Sequence, residues 1–125
     1  MDVRSYRDLE VWQRAMVVAE ECYSITRSFP RDEAFGLTSQ IRRASVSVAA
    51  NIAEGYGRET TASFIQFLRV AQGSQKELDT HLLVSQRVGL LDESKAPPLL
   101  DDLGRLGRML RGLIRSLEAK RRSSI

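Results

Sequence analysis

Apolar residues recur at intervals of three and four positions through most of the chain, which is the spacing of one face of an α-helix. Alternation with a period of two, the pattern of a strand, does not persist beyond a few residues. Proline and glycine occur mainly where the helical spacing breaks, so they mark connections between helices. The pattern predicts four helices, at about residues 7–28, 37–56, 61–88 and 98–120.

The predicted connections are short compared with the helices, which is typical of an antiparallel up-down-up-down four-helix bundle. The chain has 125 residues, enough for one hydrophobic core but not for two. The predicted fold is therefore all-α, with a single domain over residues 1–125. Pro97 and Pro98 lack a backbone N–H, so regular structure in the fourth helix is expected only from about Pro98.

The first predicted helix has an apolar face that is wider than a single stripe. Its main stripe consists of Leu9, Trp12, Met16, Ala19, Tyr23 and Thr26. A neighbouring set widens this stripe and consists of Val11, Ala15, Val18, Cys22 and Ile25.

The second predicted helix has two separate apolar surfaces. The first has helical spacing and consists of Leu37, Ile41, Ala44, Val48 and Ile52. The second is made of small side chains: Val46, Ala49, Ala50 and Ala53. A helix at the surface of a bundle needs only one apolar stripe, so the second surface must be buried against something else. We expect that to be another copy of the chain, which makes these four residues the candidate oligomer interface.

A polar line runs along the same helix and consists of Gln40, Arg43, Ser47, Asn51, Glu54 and Arg58. Buried polar groups must be hydrogen-bonded or paired, so Arg43, Asn51 and Glu54 are expected to bond one another or the third helix. The alternative is a nuclease site around Glu54. That chemistry needs several carboxylates to hold metal ions, and the sequence does not place Glu59 or Glu77 beside it.

The composition contains few signals of catalysis or of membrane insertion. His81 is the only histidine and Cys22 the only cysteine, so neither paired histidines nor a thiolate cluster can hold a metal. We predict no cofactor, no metal and no enzymatic activity. A lone cysteine fits a reducing compartment, and neither a signal-peptide core nor a membrane span is evident. The sequence therefore predicts a cytoplasmic protein without a membrane partner.

The charge is distributed unevenly along the chain. The net charge is +3, yet the segment Arg105–Arg122 holds seven basic residues and one acid, Glu118, a net +6 that leaves −3 for the remainder. Such asymmetry indicates a polyanion or an acidic partner, although a solvated helix face has the same pattern. The candidate nucleic-acid-binding residues are Arg108, Arg111, Arg115, Lys120, Arg121 and Arg122, joined by Arg42, Arg43 and Arg58 if these face outward.

The segment QIRRASVSVAANIAEGYGR, together with Phe29-Pro30, residues 33–37 and residues 64–78, resembles the S23-type four-helix bundle family. Members are encoded in intervening sequences of large-subunit ribosomal RNA genes. The resemblance implies a homopentameric ring with a central channel. It also implies a relation to the accessory variability determinant of diversity-generating retroelements, which binds a reverse transcriptase and nucleic acid. The family signature, which the resemblance marks as at least partly structural, consists of Arg42, Arg43, Asn51, Glu54, Gly55, Arg58, Gly73, Ser74 and Glu77.

Three hypotheses about function follow from these observations. The leading one is a non-enzymatic, ring-forming bundle that binds RNA, DNA or a nucleic-acid-handling protein. The second is a structural or protein-docking module that uses no nucleic acid. The third is a nuclease, which loss of cleavage in Glu54→Gln with an intact fold would support.

Overall fold

A computed structural model describes residues 4–123 of the protein. Residues 1–3 and 124–125 of the predicted domain lie outside this range. The described chain contains four α-helices: α1 (Glu10–Thr26), α2 (Leu37–Tyr56), α3 (Thr61–Arg87) and α4 (Ala96–Ser123). Single 3₁₀ turns precede α1 (Tyr6–Asp8) and α2 (Arg31–Glu33). Each helix packs against the next, and α1 also contacts α4, so the fold is a four-helix bundle.

Local hydrogen bonds explain where the helices begin and end. The predicted first helix starts late, at Glu10, because Ser5 and Asp8 form a capping box around a separate 3₁₀ turn. Thr60 caps α3 by accepting a hydrogen bond from the Ser63 N–H at 3.1 Å. Beyond α3, Gly89 has the left-handed φ of 81° expected at a helix stop, and the Leu90 N–H reaches back to the Ser85 carbonyl.

The expected start of the fourth helix at Pro98 is wrong by two residues. Helix α4 begins at Ala96, so Pro97 and Pro98 both lie in its first turn. The first N–H groups of a helix have no acceptor within it, and proline is tolerated there for that reason. Ala96 is fully buried, which anchors this turn to the bundle.

The core consists of aliphatic side chains from all four helices. The largest fully buried ones are Ile41, Ile52, Leu68, Leu78, Leu82, Leu103, Leu106 and Leu110. Helix α1 contributes the set next to its predicted main stripe: Val11, Ala15, Val18, Cys22 and Ile25. Trp12, Met16 and Tyr23 of the main stripe lie at the edge of the core or outside it. The smaller side chains of α1 are therefore buried in the core, whereas the larger Trp12, Met16 and Tyr23 lie at its edge or on the surface.

No helix in residues 4–123 combines the length and the apolar character needed to cross a bilayer.

Candidate functional site

The polar line of α2 divides into a hydrogen-bonded middle and two exposed ends. The Ser47 and Ser74 hydroxyls lie 2.8 Å apart and join α2 to α3. The Asn51 amide donates to the Ser47 carbonyl at 2.9 Å and to its hydroxyl at 3.1 Å. Arg43 is exposed, and Glu54 pairs with Arg58 at 3.1 Å on the solvent side. The three residues do not bond one another: Arg43 lies more than two helical turns from Asn51, and Glu54 pairs with Arg58. Only Asn51 is linked to the third helix, through Ser47 and Ser74.

Arg42 of α2 and Arg58, two residues beyond its end, are both occupied by contacts within the chain. The Arg42 Nε donates to the Thr26 hydroxyl at 2.9 Å, and its guanidinium lies 4.6 Å from the centre of the Tyr23 ring. The Arg58 guanidinium lies 4.6 Å from the centre of the Phe67 ring. Arg42 thus ties α2 to α1, while Arg43 faces solvent beside Glu77 and Phe35.

The glycines of the family signature differ in their surroundings. A Cβ on Gly55 would lie 2.6 Å from the Phe67 Cβ, so this glycine permits the close approach of α2 and α3. A Cβ on Gly73 would meet nothing within 4 Å, and the structure offers no packing reason for glycine there. Glu77 contacts His81 at 3.2 Å on the surface of α3.

Six of the nine basic residues predicted to bind nucleic acid are exposed on α4: Arg108, Arg111, Arg115, Lys120, Arg121 and Arg122. We refer to Arg108, Arg111 and Arg115, which share one side of the helix, as the arginine face. None of these three side chains has a hydrogen bond or an ion pair with a residue in the range 4–123. Glu118, the single acid of the basic segment, is instead paired with Arg69 of α3. The arginine face therefore presents unneutralised positive charge.

A cavity beside the arginine face is lined by residues of both α3 and α4. We call it the α3–α4 groove; its volume is about 560 Å³, and its lining is Gln72, Gln75, Lys76, Asp79, Gly104, Gly107, Arg108 and Arg111. Charged and amide side chains make up most of this lining. Sequence analysis identified the arginines but missed the contribution of α3, because the pairing of the two helices is a tertiary feature.

A second, larger cavity lies between α1 and α2 on another surface, and we call it the apolar groove. Its volume is about 760 Å³, and its lining is Tyr6, Trp12, Met16, Ala19, Glu20, Tyr23, Arg27, Val46, Ala49, Ala50 and Ala53. The four predicted interface residues on α2 form one wall. Tyr6 and Trp12 meet edge to face at 5.3 Å at one part of the opposite wall. The apolar α1 residues of that wall belong to the main apolar stripe of the first helix, which is visible in the sequence.

Two carboxyl groups meet between α1 and α4. Burial, a side-chain hydrogen bond to Asp102 and the charge of Asp102 raise the pKa of Glu21 to about 7. Burial, reinforced by the nearby Glu21 charge, raises the pKa of the Cys22 thiol to about 12, so this cysteine is an inert core residue. The carboxyl pair has no sequence signal, since the two residues are far apart in the chain.

Within residues 4–123, no three His, Cys, Asp or Glu side chains converge in a way that could hold a metal ion. The features above define a small helical-bundle protein whose distinctive parts are two grooves and a basic face. The sequence matches the family model described as 23S rRNA-intervening sequence protein over residues 7–112. The chain therefore belongs to this family, and the S23-type resemblance is confirmed.

The fold is also similar to a solved structure. A crystal structure of a protein with unknown function, from the S23 ribosomal protein family of Bacteroides thetaiotaomicron, superimposes with a TM-score of 0.75 at 21% sequence identity. The alignment covers 83% of this chain and 97% of that chain, and it shows that the bundle fold is shared. No curated protein sequence matches this chain.

Proposed function

We propose that this protein is a non-enzymatic bundle that binds single-stranded nucleic acid through the arginine face of α4. The observation that carries this proposal is the set of three exposed guanidinium groups, all without an acidic partner in the described chain. Arginine is well suited to phosphate because its planar fork can donate two hydrogen bonds to two oxygens. No exposed array of aromatic rings accompanies these arginines on α4, so phosphates contribute most of the affinity.

The test is retention of a fluorescent single-stranded RNA as ionic strength rises. Each neutralised phosphate on a single strand steepens the dependence of log affinity on log salt by about 0.7. Changing Arg108, Arg111 and Arg115 to glutamine is expected to reduce that slope by about 2 and to weaken retention at low salt. The matched control changes three exposed arginines outside α4, Arg14, Arg31 and Arg87, so that net charge falls equally. Equal losses in both variants, or no retention by the natural protein, would contradict the proposal.

We also propose that copies of the chain assemble head to tail into a ring of five subunits, the number that the family resemblance implies. Support comes from the apolar groove, whose wall carries the predicted contact residues Val46, Ala49, Ala50 and Ala53. A concave surface does not fit a second concave surface, so its partner is a different patch on the next copy. Contacts of that heterologous kind form a ring when the rotation between successive copies closes on the first one. Several large apolar side chains are exposed elsewhere and are available for the partner patch, including Phe35, Val70, Leu83, Val84 and Val88.

A protein-docking module without nucleic acid is the second candidate. The same unpaired arginines favour it, because an acidic protein surface would satisfy them as phosphates do. In that case the glutamine variant of the arginine face would lose a protein partner while RNA retention stayed unchanged. The nuclease hypothesis is not carried forward, since the Glu54 carboxylate is paired with Arg58 instead of with a second carboxylate.

A further inference from the structure

Gln75 is a buried amide whose hydrogen-bonding capacity is only partly used. Its side chain is 4% exposed and lies between α3 and α4. The Nε2 group donates to the Leu103 carbonyl at 3.0 Å, whereas the Oε1 atom has no partner in the described chain. The carbonyl of Leu103 can only accept, which determines the orientation of the amide. The unused group is therefore an acceptor, and burying it without a donor is unfavourable.

A glycine on α4 makes room for this amide. A Cβ on Gly107 would lie 2.8 Å from the Gln75 Nε2 and 3.3 Å from its Oε1. Glycine inside a helix is less stable than alanine. At Gly107 this loss of helix stability is accompanied by the space that the Gln75 amide occupies. Gly104, about one turn earlier, also lines the α3–α4 groove and has no side chain to fill it.

The surroundings of Gln75 are suited to an anion with an attached polar ring. Gln75 lines the α3–α4 groove together with Arg108 and Arg111, neither of which has an ion pair in the described chain. Lys76 adds a third cation and Asp79 a further acceptor. A groove of about 560 Å³ lies within the usual size range of small-ligand sites.

We propose that the α3–α4 groove is a site for one nucleotide unit of a single-stranded nucleic acid. Arg108 and Arg111 hold its phosphate, and the Gln75 Oε1 accepts a hydrogen bond from an exocyclic amine of its base. This assignment rests on the proposed nucleic-acid function and adds a preference to it. Adenine and cytosine present such an amine, whereas uracil presents a carbonyl oxygen at the same position. The groove therefore favours adenine or cytosine over uracil.

The test compares fluorescently labelled oligonucleotides of adenosine, cytidine and uridine on the full-length protein at fixed salt. We expect the adenosine or cytidine oligonucleotide to bind roughly tenfold more tightly than the uridine one, the value of one hydrogen bond that satisfies a buried group. Gln75→Met, similar in size but without the amide, should abolish this preference and leave the salt slope unchanged. Arg108→Gln with Arg111→Gln should do the reverse, reducing the slope by about 1.4 and keeping the preference.

A second measurement does not depend on a substitution at a buried position. In a titration of the labelled natural protein with adenosine monophosphate, the NMR signal of the Gln75 side-chain amide should shift. Equal binding of all three oligonucleotides with an unmoved Gln75 signal overturns the nucleotide site but leaves the proposed function standing. Binding of none of them overturns both. A preference that survives in Gln75→Met also overturns the assignment.

Discussion

Gly55 of α2 faces Phe67 of α3 so closely that a Cβ added to the glycine would lie 2.6 Å from the Phe67 Cβ. The same atom would lie 3.3 Å from the Phe64 backbone oxygen, which leaves it little freedom to adjust. This contact brings the C-terminal half of α2 against the first turns of α3, in the most extensive helix pairing of the bundle. The glycine is therefore a requirement of packing.

We predict that Gly55→Ala lowers the free energy of unfolding by about 1–3 kcal/mol, because the added methyl group forces the two helices apart. Gly73→Ala is the matched control, since its new Cβ meets nothing within 4 Å. That variant should gain about 0.5–1 kcal/mol from improved helix propensity. Urea denaturation of both proteins measures the difference. Equal effects at the two positions would show that the contact with Phe67 is unimportant.

Adjacent arginines on α2 should respond differently to truncation. Arg42→Ala removes the hydrogen bond to Thr26 and the contact with the Tyr23 ring, so we expect a loss of about 1–2 kcal/mol. Arg43→Ala affects an exposed side chain and should change stability by less than about 0.5 kcal/mol. Thermal unfolding compares the two variants at equal net charge. A larger loss in the Arg43 variant would contradict the assignment of Arg42 to the α1–α2 contact.

The carboxyl pair between α1 and α4 predicts a pH dependence of stability. The folded state raises the pKa of Glu21 from 4.5 to about 7, so the folded protein holds this proton more tightly than the unfolded chain. The associated stability is fully present below pH 4.5 and is lost as the pH rises toward 7. The Glu21 side chain is partly exposed, so solvent screens its interaction with Asp102. We therefore expect the contribution to stability to be on the order of 1 kcal/mol.

Glu21→Gln isolates this contribution because its amide does not titrate. The stability of the variant relative to the natural protein should increase between pH 4.5 and pH 8, as measured by urea denaturation at each pH. Glu20→Gln, at an exposed neighbouring position, should leave the profile unchanged. A constant difference between the natural protein and Glu21→Gln at all pH values would be inconsistent with the raised pKa of Glu21.

The apolar groove predicts an effect on assembly. Ala50 is an exposed residue of the groove wall, and Ala50→Arg introduces a long charged side chain there. Light scattering should show a shift from the mass of a ring, about 70 kDa for five chains of 14.1 kDa each, toward that of one chain. Ala119→Arg adds the same group on exposed α4 and should leave the mass unchanged. A monomeric natural protein would refute the assembly directly.

Helical spacing was sufficient to predict the four helices, because each local segment has its own apolar period and its own breaks. The basic side of α4 followed from the same spacing, since residues seven positions apart on a helix share a face. The predicted start of α4 at Pro98 is two residues late, because proline is tolerated at several positions of a first turn and the sequence does not show which of them Pro98 occupies. The inward face of α1 was equally ambiguous, as its two apolar stripes are neighbours.

The polar line of α2 illustrates the limit of reasoning from periodicity. Spacing placed Arg43, Asn51 and Glu54 together, but their bonds depend on which side of α2 meets α3. Only Asn51 joins the network with Ser47 and Ser74, while Glu54 turns to Arg58. Side-chain pairing of this kind is decided by atomic distances across an interface, which no local pattern contains.

The amino-acid sequence by itself determined the helices, the family and the basic face, because each depends on residues that are close together in the chain. The tertiary structure alone decided that Gln75 lies against Gly107, that Glu21 meets Asp102, and that Trp12 joins the apolar groove. These relationships join residues from different helices. They depend on the rotation and depth at which the helices pack, and many side chains together set those quantities.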